Sequence, residues 1–160
     1  MKRHGLILAT LIAFTVALIG ALAGCKSSGM ALTSHGQLFK INIVHPNDLP
    51  ESGEDNLDVV ISNRGVKDVK DILVDVELPP QLIVLDQTND RGVVVMHDPG
   101  TSTYHFTLGN VQPAEDSKLR FHVRTAFGTM RETGSVKVTA WQKDLPNDHL
   151  TETAVIKLRG

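Results

Sequence analysis

The sequence predicts an all-β fold, an antiparallel β-sandwich of about seven to nine short strands. Three observations predict it. Apolar residues recur at every second position in run after run, and turn-forming residues separate those runs. No window downstream of residue 24 carries an apolar stripe of helical period.

The strands follow in order. In FKINIVH, Phe39, Ile41 and Ile43 alternate with Lys40 and Asn42. In NLDVVISN, Leu57, Val59 and Ile61 alternate with Asp58 and Ser62. DILVDVEL is the clearest case, with Ile72, Val74, Val76 and Leu78 on one side and Asp71, Leu73, Asp75 and Glu77 on the other. Such a pattern fits a strand with one face on a core and one in water. A short apolar run, Val93 to Met96, adds a further strand. Tyr104, Phe106 and Leu108 then alternate with Thr103, His105 and Thr107, and Leu119, Phe121 and Val123 with Lys118, Arg120, His122 and Arg124. Val136, Val138 and Ala140 form another set, and Ala154, Ile156 and Leu158 the last. Asn63-Arg64-Gly65, Pro79-Pro80, Asp98-Pro99-Gly100 and Pro146-Asn147-Asp148 punctuate the series.

Ahead of the strands stands a targeting segment. Lys2 and Arg3 precede an uncharged run from Gly5 to Gly24 that ends in small residues, the order of a secretory signal peptide. The run is also long enough to cross a bilayer as a helix, so an uncleaved N-terminal anchor is the alternative. Leu22-Ala23-Gly24-Cys25 resembles the lipobox of bacterial lipoproteins. The resemblance implies cleavage after Gly24 and a diacylglyceryl group on the Cys25 sulfur, with N-acylation. Lys26 follows the cysteine where an aspartate would favour inner-membrane retention, so the outer membrane is expected in a host that has one. Stable anchoring needs more than one acyl chain, at about 0.8 kcal/mol per buried CH₂. Residues 25–37, rich in Ser and Gly, then read as a lipidated tether; fully extended, the segment from Lys26 to Gln37 would reach about 40 Å. The expected division is residues 1–24 signal helix, 25–37 tether and 38–160 sandwich.

Composition narrows the function. A formal net charge of −2 over 160 residues gives no basic excess for nucleic acid. Aromatics make up 4%, which argues against a platform of exposed rings for stacking sugars or bases. One cysteine makes no intrachain disulfide and no cysteine-based zinc site, so stability has to come from an apolar core.

Asp58-Val59-Val60-Ile61-Ser62-Asn63-Arg64-Gly65, Val74-Asp75-Val76-Glu77-Leu78-Pro79-Pro80-Gln81-Leu82 and Tyr104-His105-Phe106-Thr107-Leu108-Gly109-Asn110-Val111-Gln112-Pro113 together resemble bacterial domains of the DUF11 type and their CARDB relatives. The resemblance covers about residues 54 to 158 and implies an immunoglobulin-like sandwich of surface and envelope proteins. It departs at Ala114-Glu115, where the family has glycine, which leaves the geometry of that turn open.

Residues suited to chemistry are dispersed. Seven histidines show no clustered ligand spacing, and His105 and His122 fall on outward faces of strands that an immunoglobulin-like order puts in different sheets. No metal site is expected. There is no Gly-x-Ser-x-Gly elbow and no phosphate-cradling glycine loop. The acidic stretch with Glu51, Glu54, Asp55 and Asp58 offers oxygen donors for calcium but lacks the EF-hand pattern, and reads as a solvated loop. Phe127 and Met130 lie in a loop that either presents or anchors them. In an immunoglobulin-like order the strand carrying Asp71, Asp75 and Glu77 and the strand carrying Lys118, Arg120 and Arg124 are expected to be neighbours in one sheet, so those six side chains would form an ion-pair ladder or a polar docking face.

These readings converge on a non-enzymatic envelope lipoprotein, with no cofactor besides the covalent lipid. It acts as a protein-binding, adhesion or structural module, with the membrane and an unidentified envelope protein as partners. The alternative is a small-ligand or metal carrier, which a deep pocket would support and a filled core between the sheets would oppose.

Overall fold

Period-two alternation becomes strand wherever it was read. A computed structural model describes residues 25–32, 38–128 and 132–159. They form β1 (Cys25–Leu32), β2 (Leu38–His45), β3 (Asp48–Pro50), β4 (Glu54–Asn63), β5 (Val69–Glu77), β6 (Leu82–Asn89), β7 (Val95–His97), β8 (Thr103–Val111), β9 (Asp116–Thr125), β10 (Thr133–Gln142) and β11 (Leu150–Arg159). One sheet has the order β1-β2-β4-β9-β6 and the other β3-β11-β10-β5-β8-β7. All neighbours are antiparallel except β3 with β11. The fold is an immunoglobulin-like β-sandwich, as the sequence predicts. The signal segment lies outside the described residues.

Alternation puts one side of each long strand into the space between the sheets. Ile41, Ile43, Leu57, Val59, Ile61, Leu119, Phe121 and Val123 come from one sheet; Ile72, Val74, Val76, Val136, Val138, Ala140 and Ile156 come from the other, and all are fully buried. Phe121 sits at the centre, edge-on to Phe106 at 5.8 Å and to Tyr104 at 5.3 Å. Each such aliphatic or aromatic side chain stabilises the fold by roughly 1.5–3 kcal/mol relative to exposure, which is how the chain does without a cross-link. Among the described residues these side chains belong to one hydrophobic cluster between the sheets.

Three elements were not read from the sequence. The run Leu82-Ile83-Val84-Leu85 shows no alternation, because β6 is an edge strand with an irregular register between Val84 and Asp86. β3 is three residues long. β1 occupies part of the expected tether, paired with β2 from Cys25 opposite His45 to Leu32 opposite Leu38. Backbone pairing along an edge needs no apolar pattern, so a Ser- and Gly-containing run can fill it. Residues 33–37 of the expected tether lie outside the described residues.

One expectation is corrected. The strands bearing Lys118, Arg120 and Arg124 (β9) and Asp71, Asp75 and Glu77 (β5) are not neighbours; they belong to opposite sheets. β9 pairs with β4 and β6, and β5 with β10 and β8. Alternation decides which side chains face the core, whereas sheet membership is decided by the connections. The chain changes sheet at β2–β3, β3–β4, β4–β5, β5–β6, β6–β7, β8–β9 and β9–β10. The six charges therefore cannot form one ladder.

Candidate functional site

The outer face of the six-stranded sheet carries three rows of side chains in register. Trp141, Leu73 and Thr107 cross β10, β5 and β8. Thr151, Thr139, Asp75, His105 and Met96 form the next row, from β11 to β7. Thr153, Lys137, Glu77 and Thr103 form the third. The alternation that buries Ile72, Val74 and Val76 obliges Leu73, Asp75 and Glu77 to point outward.

Two adjoining hollows open on this face. One, of about 340 Å³, is lined by Leu73, Asp75, Met96, His105, Phe106, Thr107 and Trp141. The other, of about 290 Å³, is lined by Asp75, Glu77, Thr103, Lys137, Thr139, Trp141 and His149. Trp141 and Asp75 belong to both. The Trp141 ring is half-buried and stacks on His149, with centroids 5.1 Å apart and planes 25° from parallel. His149 is held in turn by the Pro146 carbonyl, which accepts from its Nε2.

The charges of the face are tied to one another. His105 donates from Nδ1 to Asp75 Oδ1 at 2.6 Å and from Nε2 to Asp98 Oδ2 at 3.1 Å. A carboxylate only accepts, so a ring that serves one on each nitrogen is an imidazolium. Consistently, the hydrogen bond to Asp75, then that to Asp98, raises the His105 pKa above its ordinary value, against partial desolvation. Lys137 reaches Glu77 at 3.2 Å, and the Thr139 and Thr151 hydroxyls meet at 3.1 Å. Between β7 and β8, His97 stacks on Tyr104 at 4.5 Å and bonds the Thr101 carbonyl at 2.8 Å.

The other half of the expected charged face lies on the five-stranded sheet. Arg120 grips Asp58 through Nε at 2.6 Å and Nη2 at 2.9 Å, and Lys118 approaches the same carboxylate at 3.4 Å. The Arg120 hydrogen bond, outweighing partial burial and helped by Lys118, holds the Asp58 carboxyl below the usual range. Glu54 meets His122 at 3.2 Å. The partner of Arg120 is thus an acid of β4, and β5 supplies none of these contacts.

The remaining candidates disperse. Glu51 accepts from the Gly128 amide and Asp55 from the Asn56 amide, so the carboxylates suggested for calcium serve different partners. Among the described residues no group of three or more His, Cys, Asp or Glu is placed to hold a metal ion. Phe127 is 88% exposed, which makes it a presented residue and not an anchoring one. Met130 lies outside the described residues, as do Leu22, Ala23 and Gly24. Cys25 stands at the first position of β1.

Sequence reasoning missed Trp141, Met96 and Lys137 as members of a site. The signal was available. Val136, Val138 and Ala140 face inward, so Lys137 and Trp141 on the same strand must face out, and a strand that exposes the chain's only tryptophan invites a question.

No protein-family model matches the sequence, and no curated protein matches it. Solved structures do resemble the fold. The RrgA Jo.In complex superposes with a TM-score of 0.60 at 11% identity, over 82% of this chain and 82% of that one. AvmM, described as catalysing macrocyclization in alchivemycin A biosynthesis, gives 0.54 at 10% identity over 78% and 89%. A type III cohesin module from the ScaE cell-surface anchoring scaffoldin of Ruminococcus flavefaciens gives 0.49 at 13% identity over 71% and 85%. Likeness at these identities is a likeness of fold, and this architecture hosts unrelated activities.

Proposed function

We propose that this chain is a lipid-anchored protein of the bacterial envelope whose sandwich is a non-catalytic protein-binding module. The observation that carries the reading is the packed hydrophobic core that the described residues form between the sheets. Phe121, Phe106 and the aliphatic side chains of both sheets occupy the space where a carrier would hold its ligand. The hollows lie outside, on a sheet face whose acids, lysine and histidine are paired with one another. Surfaces of this kind, with a large aromatic inside a polar surround, suit contact with another protein. The Leu22-Ala23-Gly24-Cys25 pattern supplies the anchor, and Lys26, standing where an aspartate would favour inner-membrane retention, is compatible with the outer membrane where one exists.

Two measurements test the two parts separately. Growth with a clickable palmitate analogue labels the wild-type chain and leaves Cys25→Ser unlabelled; equal labelling of both, or of neither, overturns the anchor. Cross-linking in intact cells, followed by mass spectrometry, yields a reproducible envelope-protein adduct to the sandwich. A chain that stays uncross-linked while it retains a small molecule through native purification favours the carrier.

A further inference from the structure

The face built on β5, β8 and β10 has a graded chemistry along the strand direction. At one end Leu73, Met96 and Trp141 frame a mainly apolar hollow, and Met96 is 62% exposed. Two residues along β5 stands Asp75, and two further stands Glu77. Asp98 leans in over His105 from the turn that follows β7. In these contacts three carboxylates, Asp75, Glu77 and Asp98, meet Lys137 and His105, so even with His105 protonated the cluster keeps a negative excess. Each hollow is near the lower bound of the ~300–1,000 Å³ typical of small-molecule clefts, and both are open to solvent. They suit single side chains better than an enclosed ligand.

We propose that this face docks an extended segment of a partner protein that sets an apolar side chain between Leu73, Met96 and Trp141 and a lysine or arginine beside Asp75 and Glu77. The proposal deepens the protein-binding reading and rests on it. Spacing and charge argue for this occupant. Residues i and i+2 of a strand lie about 6.6 Å apart on one face, and Leu73, Asp75 and Glu77 follow that step. An extended segment lying along β5 therefore meets the apolar hollow and the acids with residues two apart. Its cation corrects the negative excess, and beside Trp141 it also gains from the ring face. Methionine is unbranched and adapts to the shape of an incoming side chain.

The test uses the full chain in detergent, probed with a random peptide library displayed on phage and, in parallel, a glycan array. Enriched peptides are expected to share an apolar residue two positions from a lysine or arginine. A synthetic peptide of that pattern should bind at least about tenfold more weakly to Trp141→Ala. It should bind severalfold more weakly to Glu77→Gln, which keeps the fold if Trp141→Ala does not, and unchanged to Arg120→Ala on the opposite sheet. Added salt should weaken it. Enrichment without the pattern, binding insensitive to Glu77→Gln, or Trp141-dependent binding of glycans instead of peptides overturns the proposal. A cellular partner cross-linked through the five-stranded sheet would remove this face while leaving the protein-binding reading intact, whereas loss of that reading would show as no adduct at all.

Discussion

Asn63 donates from Nδ2 to the Val111 carbonyl at 2.9 Å, tying the end of β4 in one sheet to the end of β8 in the other. The same amide nitrogen serves the Lys67 carbonyl at 2.7 Å, and Oδ1 accepts from the Gly65 amide at 2.9 Å. The backbone of Asn63 is engaged as well, with the Glu115 carbonyl and the Ala114 amide. A fully buried side chain thus closes the turn that it begins and joins two connections.

Replacing Asn63 with alanine leaves the buried Val111 carbonyl without this donor and frees the turn. The expected loss is about 2–4 kcal/mol, as each orphaned buried group costs roughly 1–3. Urea denaturation measures it. Asn63→Asp should lose at least as much, since a carboxylate only accepts and would face two carbonyls. A loss below about 0.5 kcal/mol would show that water replaces the amide.

Ala114 has φ +60°, a left-handed backbone that favours glycine. The turn holds it there: its amide bonds the Asn63 carbonyl at 2.9 Å, and the Glu115 amide bonds Gln112 at 3.1 Å. Glu115 in turn accepts from the Gln112 amide at 2.6 Å and pairs with Arg91. An alanine at this left-handed position therefore keeps the turn and strains it. Strain of roughly 1–2 kcal/mol is relieved by glycine, against a loss of chain stiffness worth roughly 0.5–1. Ala114→Gly is expected to raise stability by about 0.5–1 kcal/mol, visible as a higher midpoint in thermal melts.

Such details show how much the sequence discloses. Alternation in DILVDVEL was enough to place Val74 in the core and Asp75 outside, because a strand has only two faces. Asn63-Arg64-Gly65 was readable as a turn, because glycine and asparagine adopt turn geometry locally. The association of Asp75 with His105, and of Arg120 with Asp58, was not readable. Each joins strands brought together by connections that change sheet, and those leave no periodic trace. β6 escaped for a different reason: Ile83 and Leu85 are both more than 40% exposed on an edge, so apolarity there does not report burial. The scarcity of aromatics was informative about the whole surface and silent about Trp141, since a single ring suffices where neighbours shape a hollow around it.

The bidentate pair of Arg120 with Asp58 gives a separable charge term. Its carboxylate is 15% exposed and its guanidinium 45%, so the pair lies between surface and interior. A double-mutant cycle on Asp58→Asn and Arg120→Gln should return a coupling of about 0.5–1.5 kcal/mol. Because the folded carboxyl titrates below its unfolded value of 3.8, this stability is fully present above that value. It fades as pH falls through the folded one. Charge reversal at Arg120 should cost more than the neutral change, as it sets two anions side by side.

His105 gives the opposite pH dependence. Its pKa is raised chiefly by Asp75 and then by Asp98, so the protonated ring stabilises the folded chain. That contribution is complete below the unfolded value near 6.5 and is lost as pH rises through the folded value. Proton NMR of the ring should place its titration above 6.5. Asp75→Asn should lower the midpoint more than Asp98→Asn, since the Asp75 bond is the shorter, 2.6 against 3.1 Å. The His105→Gln chain should lose the decline in stability on going from pH 6 to pH 8 that the wild type shows, apart from what other histidines contribute. If the ring titrates at or below 6.5, it does not bridge the two carboxylates in solution. The turn after β7 would then be held by its other bonds, among them His97 with the Thr101 carbonyl and the Leu78 amide with the Ser102 carbonyl.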